Sequence, residues 1–470
     1  MVMNVEIISK EIIKPSSPTP HHLRNFKLSF LDQLAPPFHF PIIWFYDSKK
    51  FVDVEPFERS RFLKESLAET LTHFYPLAGT PINEEFSINC NDKGVDYIQA
   101  RVLCKLSQAI HNPNGNDLIQ LLPFEPDNSC NDFGKEVLLA VQYNIFECGG
   151  VAIAVCISHK LADGISFVNF VNAWAGTCRG ESEVISPIFD AHIHFPPRDI
   201  TRFMPNEGYI SKEKIVTRRF VFNKSSIAAL RREASAAFGP EDRVASRVEA
   251  VSAFIWMRFM VMARTRTTKP KQVTAVHAVN LRERMVPQLP VHSFGNLARY
   301  AIAAETPAEM EKDYHFLVSQ LRNAILEINA EYVKKLQDGP VGDLYFLGKK
   351  DKQFQNGEIE SCNFSSWCRF PVYEVDFGWS DRRAGQTGSV FTLLHKDEIK
   401  RFKKLLQKAD IQSCPDYSIP SNSIESLRII YTSALEKLKE TVEVETSRKR
   451  KIGFKSSKAG KESETNHSKE

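Results

Sequence analysis

Seven consecutive apolar residues, Val151–Ile157, end abruptly at Ser158-His159-Lys160-Leu161-Ala162-Asp163-Gly164. The run is far shorter than the ~20 residues a membrane-spanning helix needs, and it fits a strand buried in a core. Beyond it, Ile165, Val168, Val171 and Ala175 recur at helical spacing, so 165–178 reads as a helix with one apolar face. The apolar segments 136–146 and 150–157 bracket Glu147-Cys148-Gly149-Gly150, a hairpin candidate. A short polar segment is thus held between a core strand and a helix.

The remaining periodicity predicts a mixed α/β chain in two halves. In the first, 21–46 reads as a strand region, 57–74 as an amphipathic helix stopped by Pro76, and 86–90 and 95–105 as short strands. Pro187, Pro196, Pro197 and Pro205 punctuate an aperiodic stretch, read as a crossover. The order then repeats: strand 215–222, helix 224–234, a helix entered near Ser246, strand 272–280, helix 308–329 and strand 366–377. Beyond Trp379 come two Lys-rich helical stretches, 396–409 and 423–440, and then a polar end with almost nothing to bury. The expected organisation is a first domain over 1–185, a linker over 186–214, a second domain over 215–380, a divergent helical segment over 381–446 and a disordered tail over 447–470.

Composition removes several function classes. Sixty-one basic residues against 57 acidic ones leave a net charge of +4, too weak a field to argue for nucleic acid or a membrane as partner. Nine scattered cysteines form no Cys-x-x-Cys pair, and the first twenty residues contain no continuous apolar stretch. A reducing compartment, the cytoplasm, is the expectation. His21-His22 and His192-x-His194 lack companions at ligand spacing, so no metal site is expected. Arg448-Lys-Arg-Lys451 has the composition of a nuclear signal or nucleic-acid arm, but interleaved Glu and Ser favour a solvated tail.

A histidine at the end of a core strand can be held rigidly at a cleft mouth, and a pKa near neutrality suits removal of a hydroxyl proton. Gly164 allows a sharp backbone change after the aspartate. Taken alone, His-x-x-x-Asp is a weak signal and describes a satisfied histidine beside a helix-capping aspartate more readily than a catalytic one. The chain has no Gly-x-Ser-x-Gly elbow. Its look-alike, Gly176-Thr-Cys-Arg-Gly180, closes a helix instead of opening one, which favours a helix stop over a cysteine nucleophile.

The combination of His159-x-x-x-Asp163-Gly164 with Asp376-Phe377-Gly378-Trp379 resembles the plant BAHD acyltransferases. So, in order, do Leu28-Ser-Phe-Leu-Asp-Gln33, His73-Phe-Tyr-Pro-Leu-Ala-Gly79, Ala278-Val-Asn-Leu-Arg282, Phe294-Gly-Asn296 and Ser365-Ser-Trp-Cys-Arg369. The resemblance runs from about residue 5 to 379 and is nearest to the branch that acetylates alkaloid alcohols. It implies two similar-sized, chloramphenicol acetyltransferase-like domains with the active site in a channel between them. It also implies acyl-CoA, in this branch acetyl-CoA, as co-substrate, a small-molecule alcohol as acceptor, no permanently bound cofactor, and a monomer. By the same resemblance His159 is the base, Asp163 pairs with Arg282 to fix the loop, and Asp376 completes the catalytic motif set in a mainly structural role. Ser365 and Trp367 match oxyanion-stabilising or acceptor-contacting positions, and Gly164, Gly378 and Trp379 lend structural support. On their own, a tryptophan is usually core and a serine a cap or surface group.

Two departures stand out: Ser380 replaces the glycine that usually ends the second motif, and Thr80 stands where relatives usually carry arginine. The likeness also stops near residue 380, so the second domain reads as incomplete, as a frameshift or fusion would leave it. That keeps two rivals in view: a degenerate, non-catalytic relative and an interaction protein using its basic tail.

Overall fold

A computed structural model describes residues 3–395, apart from 48–54, 84–85, 112–114, 126–132, 183–184, 200–214, 223, 240–242, 265–271, 305, 308–312, 340–352, 354–357 and 379–388. The Lys-rich helical stretches, the basic tail, Trp379 and Ser380 lie outside the described residues.

The histidine strand, Val151–Ser158, is buried along its whole length. It sits inside a five-stranded sheet ordered Val5–Ile13, Val95–Val102, Leu139–Phe146, Val151–Ser158, His39–Tyr46. Only the second and third of these pair in parallel. Strand alternation sends Val151, Ile153, Val155 and Ile157 into the core beneath the helices Pro56–His73 and Gly164–Cys178. The smaller Ala152, Ala154 and Cys156 face a second cluster with Leu106, Leu118 and Leu121. Both faces are covered, which is why the sequence there is continuously apolar rather than alternating.

In the other half, Gln272–Asn280 pairs antiparallel with Ala298–Ile302 and Thr306–Pro307 and parallel with Ile359–Phe364. The helices Arg247–Arg264 and Tyr314–Glu327 pack on this sheet around Trp256, Leu317 and Leu321. The halves interlock reciprocally. Phe30 and Leu31 of the first half join the second core, while Phe294, Trp367, Val372 and Phe377 of the second join the first.

Several elements differ from the sequence reading. Within 21–46, only Asn25–Lys27 and His39–Tyr46 are strands, and Phe30–Leu34 is a helix because Ser29 and Asp32 form a reciprocal capping box. The expected strand 366–377 is irregular, the strand being Ile359–Phe364 just before it. Side chains of the first half satisfy its carbonyls instead: Trp44 Nε1 donates to Val372 O at 3.1 Å, Tyr46 Oη to Val375 O at 3.3 Å and Asn172 Nδ2 to Pro371 O at 3.2 Å. The strand Ala298–Ile302 and the helix Ala330–Asp338 were not anticipated. Nor was Ser389–His395, a strand in the segment read as divergent and helical, which pairs antiparallel with Ile215–Val221.

Candidate active site

The edge strand lies in register with the histidine strand so that His39 opposes Ser158. That pairing brings Phe38 and Phe40 beside His159. The His159 amide donates to Phe38 O at 2.9 Å, and its carbonyl accepts from Asn296 Nδ2 at 2.7 Å. Asn296 is anchored in turn by Asp32 Oδ1, which accepts from its amide at 2.8 Å and its side chain at 2.9 Å. Burial raises the pKa of Asp32, against the lowering effect of its bonds from Ser29 and Asn296. The backbone of His159 is therefore held by the first half on one side and the second half on the other.

The imidazole lies 5.1 Å from the Phe38 ring and 4.0 Å from Phe40, centroid to centroid, and Trp367 stands 6.0 Å from Phe40. His159 as a residue is half-buried, and its Nδ1 is buried. Desolvation by this aromatic surround lowers its pKa to about 4, opposed by its own backbone, Asp163 and Asn296. The sequence expectation of a near-neutral pKa is thus corrected downward. At physiological pH the ring is neutral and able to accept a proton.

Asp163 does not face that chemistry. Its Oδ2 takes Arg282 Nη1 at 2.7 Å and the Leu297 amide at 3.1 Å, and its Oδ1 takes Arg282 Nη2 at 3.1 Å and the Ser166 amide at 2.9 Å. A carboxylate offers about four acceptor sites, and four donors fill them. The pair is almost completely buried, and Arg282 also donates to Ser293 O at 2.8 Å. Asp163 is at once N-cap of the helix carrying Gly164 and a clasp between the halves.

Gly164 serves close packing rather than an unusual backbone angle. A Cβ there would lie 2.8 Å from Phe370 and 2.9 Å from Trp367. Trp367 is buried against Phe40 and Phe370, and its Nε1 donates to Ser365 Oγ at 3.2 Å. A chain of contacts thus runs from His159 through Phe40 to Trp367, which touches both Gly164 and Ser365.

Asp376 is not among them. Tyr46 bonds the neighbouring Val375 and packs on Phe377, and its register partner Val151 is seven residues from Ser158 along the strand. At ~3.3 Å per residue that is roughly 23 Å from the His159 end. The family likeness likewise implies a mainly structural role for Asp376, at a distance from the histidine. Its Oδ1 caps the Gly378 amide at 2.9 Å, its carbonyl accepts from Arg179, and Gly378 adopts φ +89°, a conformation that favours glycine. Cys178, the look-alike nucleophile, ends its helix, and burial raises its thiol pKa, which disfavours the thiolate a nucleophile needs. Among the described residues no group of three His, Cys, Asp or Glu is placed to hold a metal ion, and no helix is long and apolar enough to cross a membrane.

Phe38, Phe40, Asp32 and Asn296 were missed as site residues. Asp32 and Asn296 do fall in segments of the family likeness, whereas nothing local marked the phenylalanines.

Residues 3–391 match the family profile described as Transferase family. The chain is 42% identical over 383 residues to stemmadenine O-acetyltransferase of Catharanthus roseus and, to the same extent, to vinorine synthase of Rauvolfia serpentina, covering 81% of this chain and 87% of each relative. The crystal structure of vinorine synthase superposes with a TM-score of 0.74 at 37% identity, over 87% of this chain and 99% of that one. TRI101 of F. sporotrichioides, solved with coenzyme A and T-2, shares the fold at a TM-score of 0.60 and 17% identity, over 82% and 98%. The profile match passes residue 380 and enters the strand Ser389–His395, so the likeness extends further than the motifs alone suggested.

Proposed function

Because the chain belongs to the Transferase family of BAHD acyltransferases, we propose that it moves an acetyl group from acetyl-CoA to a hydroxyl of a specialised metabolite such as an alkaloid, with His159 as general base. The chain is an acyltransferase by membership. The acetyl group and the alkaloid class are supported by its likeness to stemmadenine O-acetyltransferase and vinorine synthase.

One observation carries it. His159 sits at the end of the core strand with its backbone clamped from both halves and aromatic rings beside its imidazole, and the desolvation there favours the neutral ring. A neutral imidazole accepts the alcohol proton as the oxygen attacks the thioester carbonyl. The tetrahedral oxyanion requires a donor where its charge develops, and the hydroxyl of Ser365 is the candidate. Collapse expels the CoA thiolate, a better leaving group than an alkoxide, and His159 returns its proton. Both substrates must be bound together, so proximity supplies much of the acceleration and no acyl-enzyme is needed. The seven free cysteines among the described residues support a reducing compartment such as the cytoplasm.

The test is to incubate the purified full-length chain with acetyl-CoA and a panel of hydroxylated alkaloids. Free CoA thiol should appear in step with an acetyl ester identified by mass spectrometry. Thiol release that is independent of every alcohol, or no release at all, would contradict the reading.

A further inference from the structure

Ser158 and Lys160 flank His159, and both bury their side chains. Ser158 Oγ donates to Glu136 Oε1 and accepts from the Lys160 amide at 3.1 Å. The Ser158 amide donates to Leu138 O at 2.9 Å, and Lys160 Nζ donates to Gln33 O at 2.9 Å. His39 lies on the same side, its Nε2 2.6 Å from Val137 O and 4.0 Å from Glu136 Oε1. The side chain of Glu136 is only 2% exposed, and its Oε2 has no hydrogen-bond partner.

The transfer chemistry does not call on this carboxyl. A buried carboxyl is costly to keep, and Glu136 shows it: burial raises its pKa to about 7, with Ser158 and Lys160 pulling the other way. An apolar residue would fill the site without that penalty. Its side-chain hydrogen bond comes from the residue immediately before His159, and the Lys160 amide immediately after closes onto the same hydroxyl.

We propose that Glu136 is a positioning residue: acting through the Ser158 hydroxyl, it fixes the turn 158–160 and so the direction in which His159 presents its imidazole to the acceptor. This rests on His159 being the base, but the turn's geometry can be read without turnover. Imidazole carbethoxylation by diethyl pyrocarbonate, followed peptide by peptide, reports the presentation of His159 directly, with His315, whose side chain is 40% exposed, as internal control.

The experiment compares the full-length chain with Glu136→Gln, Glu136→Ala and Ser158→Ala. Glu136→Ala and Ser158→Ala should each change the His159 modification rate at least threefold, leaving His315 unchanged. Glu136→Gln keeps an oxygen to accept from Ser158 and should remain within twofold of wild type. In the transfer assay the two alanine variants should lose about tenfold in kcat with both KM values within twofold, and the double variant should be no worse than either single. An unchanged His159 modification rate in Glu136→Ala and Ser158→Ala would overturn the proposal, as would independent, multiplicative kcat losses in the double variant. If Glu136→Ala fails to fold, Ser158→Ala and Glu136→Gln decide by the same readouts. An absence of acetyl transfer in the wild type would count against the function proposed above and leave the modification result to judge Glu136.

Discussion

Asp163 and Arg282 meet in a two-pronged, almost solvent-free ion pair, 2.7 Å and 3.1 Å long, that joins the loop after His159 to the opposite half of the molecule. The aspartate of the His-x-x-x-Asp motif is thus spent on architecture. Its four acceptor positions are taken by Arg282, Ser166 and Leu297.

Breaking this pair leaves a buried, uncompensated charge. Asp163→Ala and Arg282→Met should each destabilise the fold by about 3–5 kcal/mol. The double variant should fall short of the sum by at least ~1 kcal/mol, because the second change removes the stranded partner. Denaturant unfolding of the four proteins checks this.

Gly164→Ala adds one methyl where Trp367 and Phe370 leave no room. Overpacking of this kind costs about 1–3 kcal/mol. The displaced Trp367 packs edge-on against Phe40, which borders the imidazole, so the acceptor KM should rise while the KM for the acyl donor stays within twofold. Steady-state kinetics with each substrate varied in turn test the split.

The pH profile follows from desolvation of His159. The working form is neutral, and the pKa is lowered to about 4 from 6.5. kcat/KM should therefore hold level from pH 8 to about 5 and decline only toward pH 4. The linkage has the same sign. Between about 4 and 6.5 the unfolded chain binds the proton that the folded one refuses, so this contribution to stability is present above 6.5 and is lost as pH falls through 4. An acidic limb with an ordinary inflection near 6.5 would show a solvated imidazole instead.

What could be read from sequence was what is local. The strand Val151–Ser158, the helix Gly164–Cys178 and the motif between them were legible because apolar run, turn and helical spacing are contiguous. The Asp163–Arg282 pairing, 119 positions apart, came from family likeness rather than from any pattern. Phe38 and Phe40 could not be seen, since their place beside His159 depends on the register of a strand more than a hundred residues away. Residues 366–377 misled for a related reason. Their apolar side chains look like a strand's, but they fill the other half's core, and Pro371 interrupts any ladder. Strand Ser389–His395 was hidden among charged residues because its partner, Ile215–Val221, lies far back in the chain.

The most direct test of the whole account is His159→Ala in the full-length chain, assayed for acetyl-CoA-dependent ester formation alongside a melting curve. Loss of a general base should lower kcat by roughly 10²–10⁴-fold with the melting temperature held near wild type. A folded His159→Ala variant that transfers acetyl groups at the wild-type rate would contradict it.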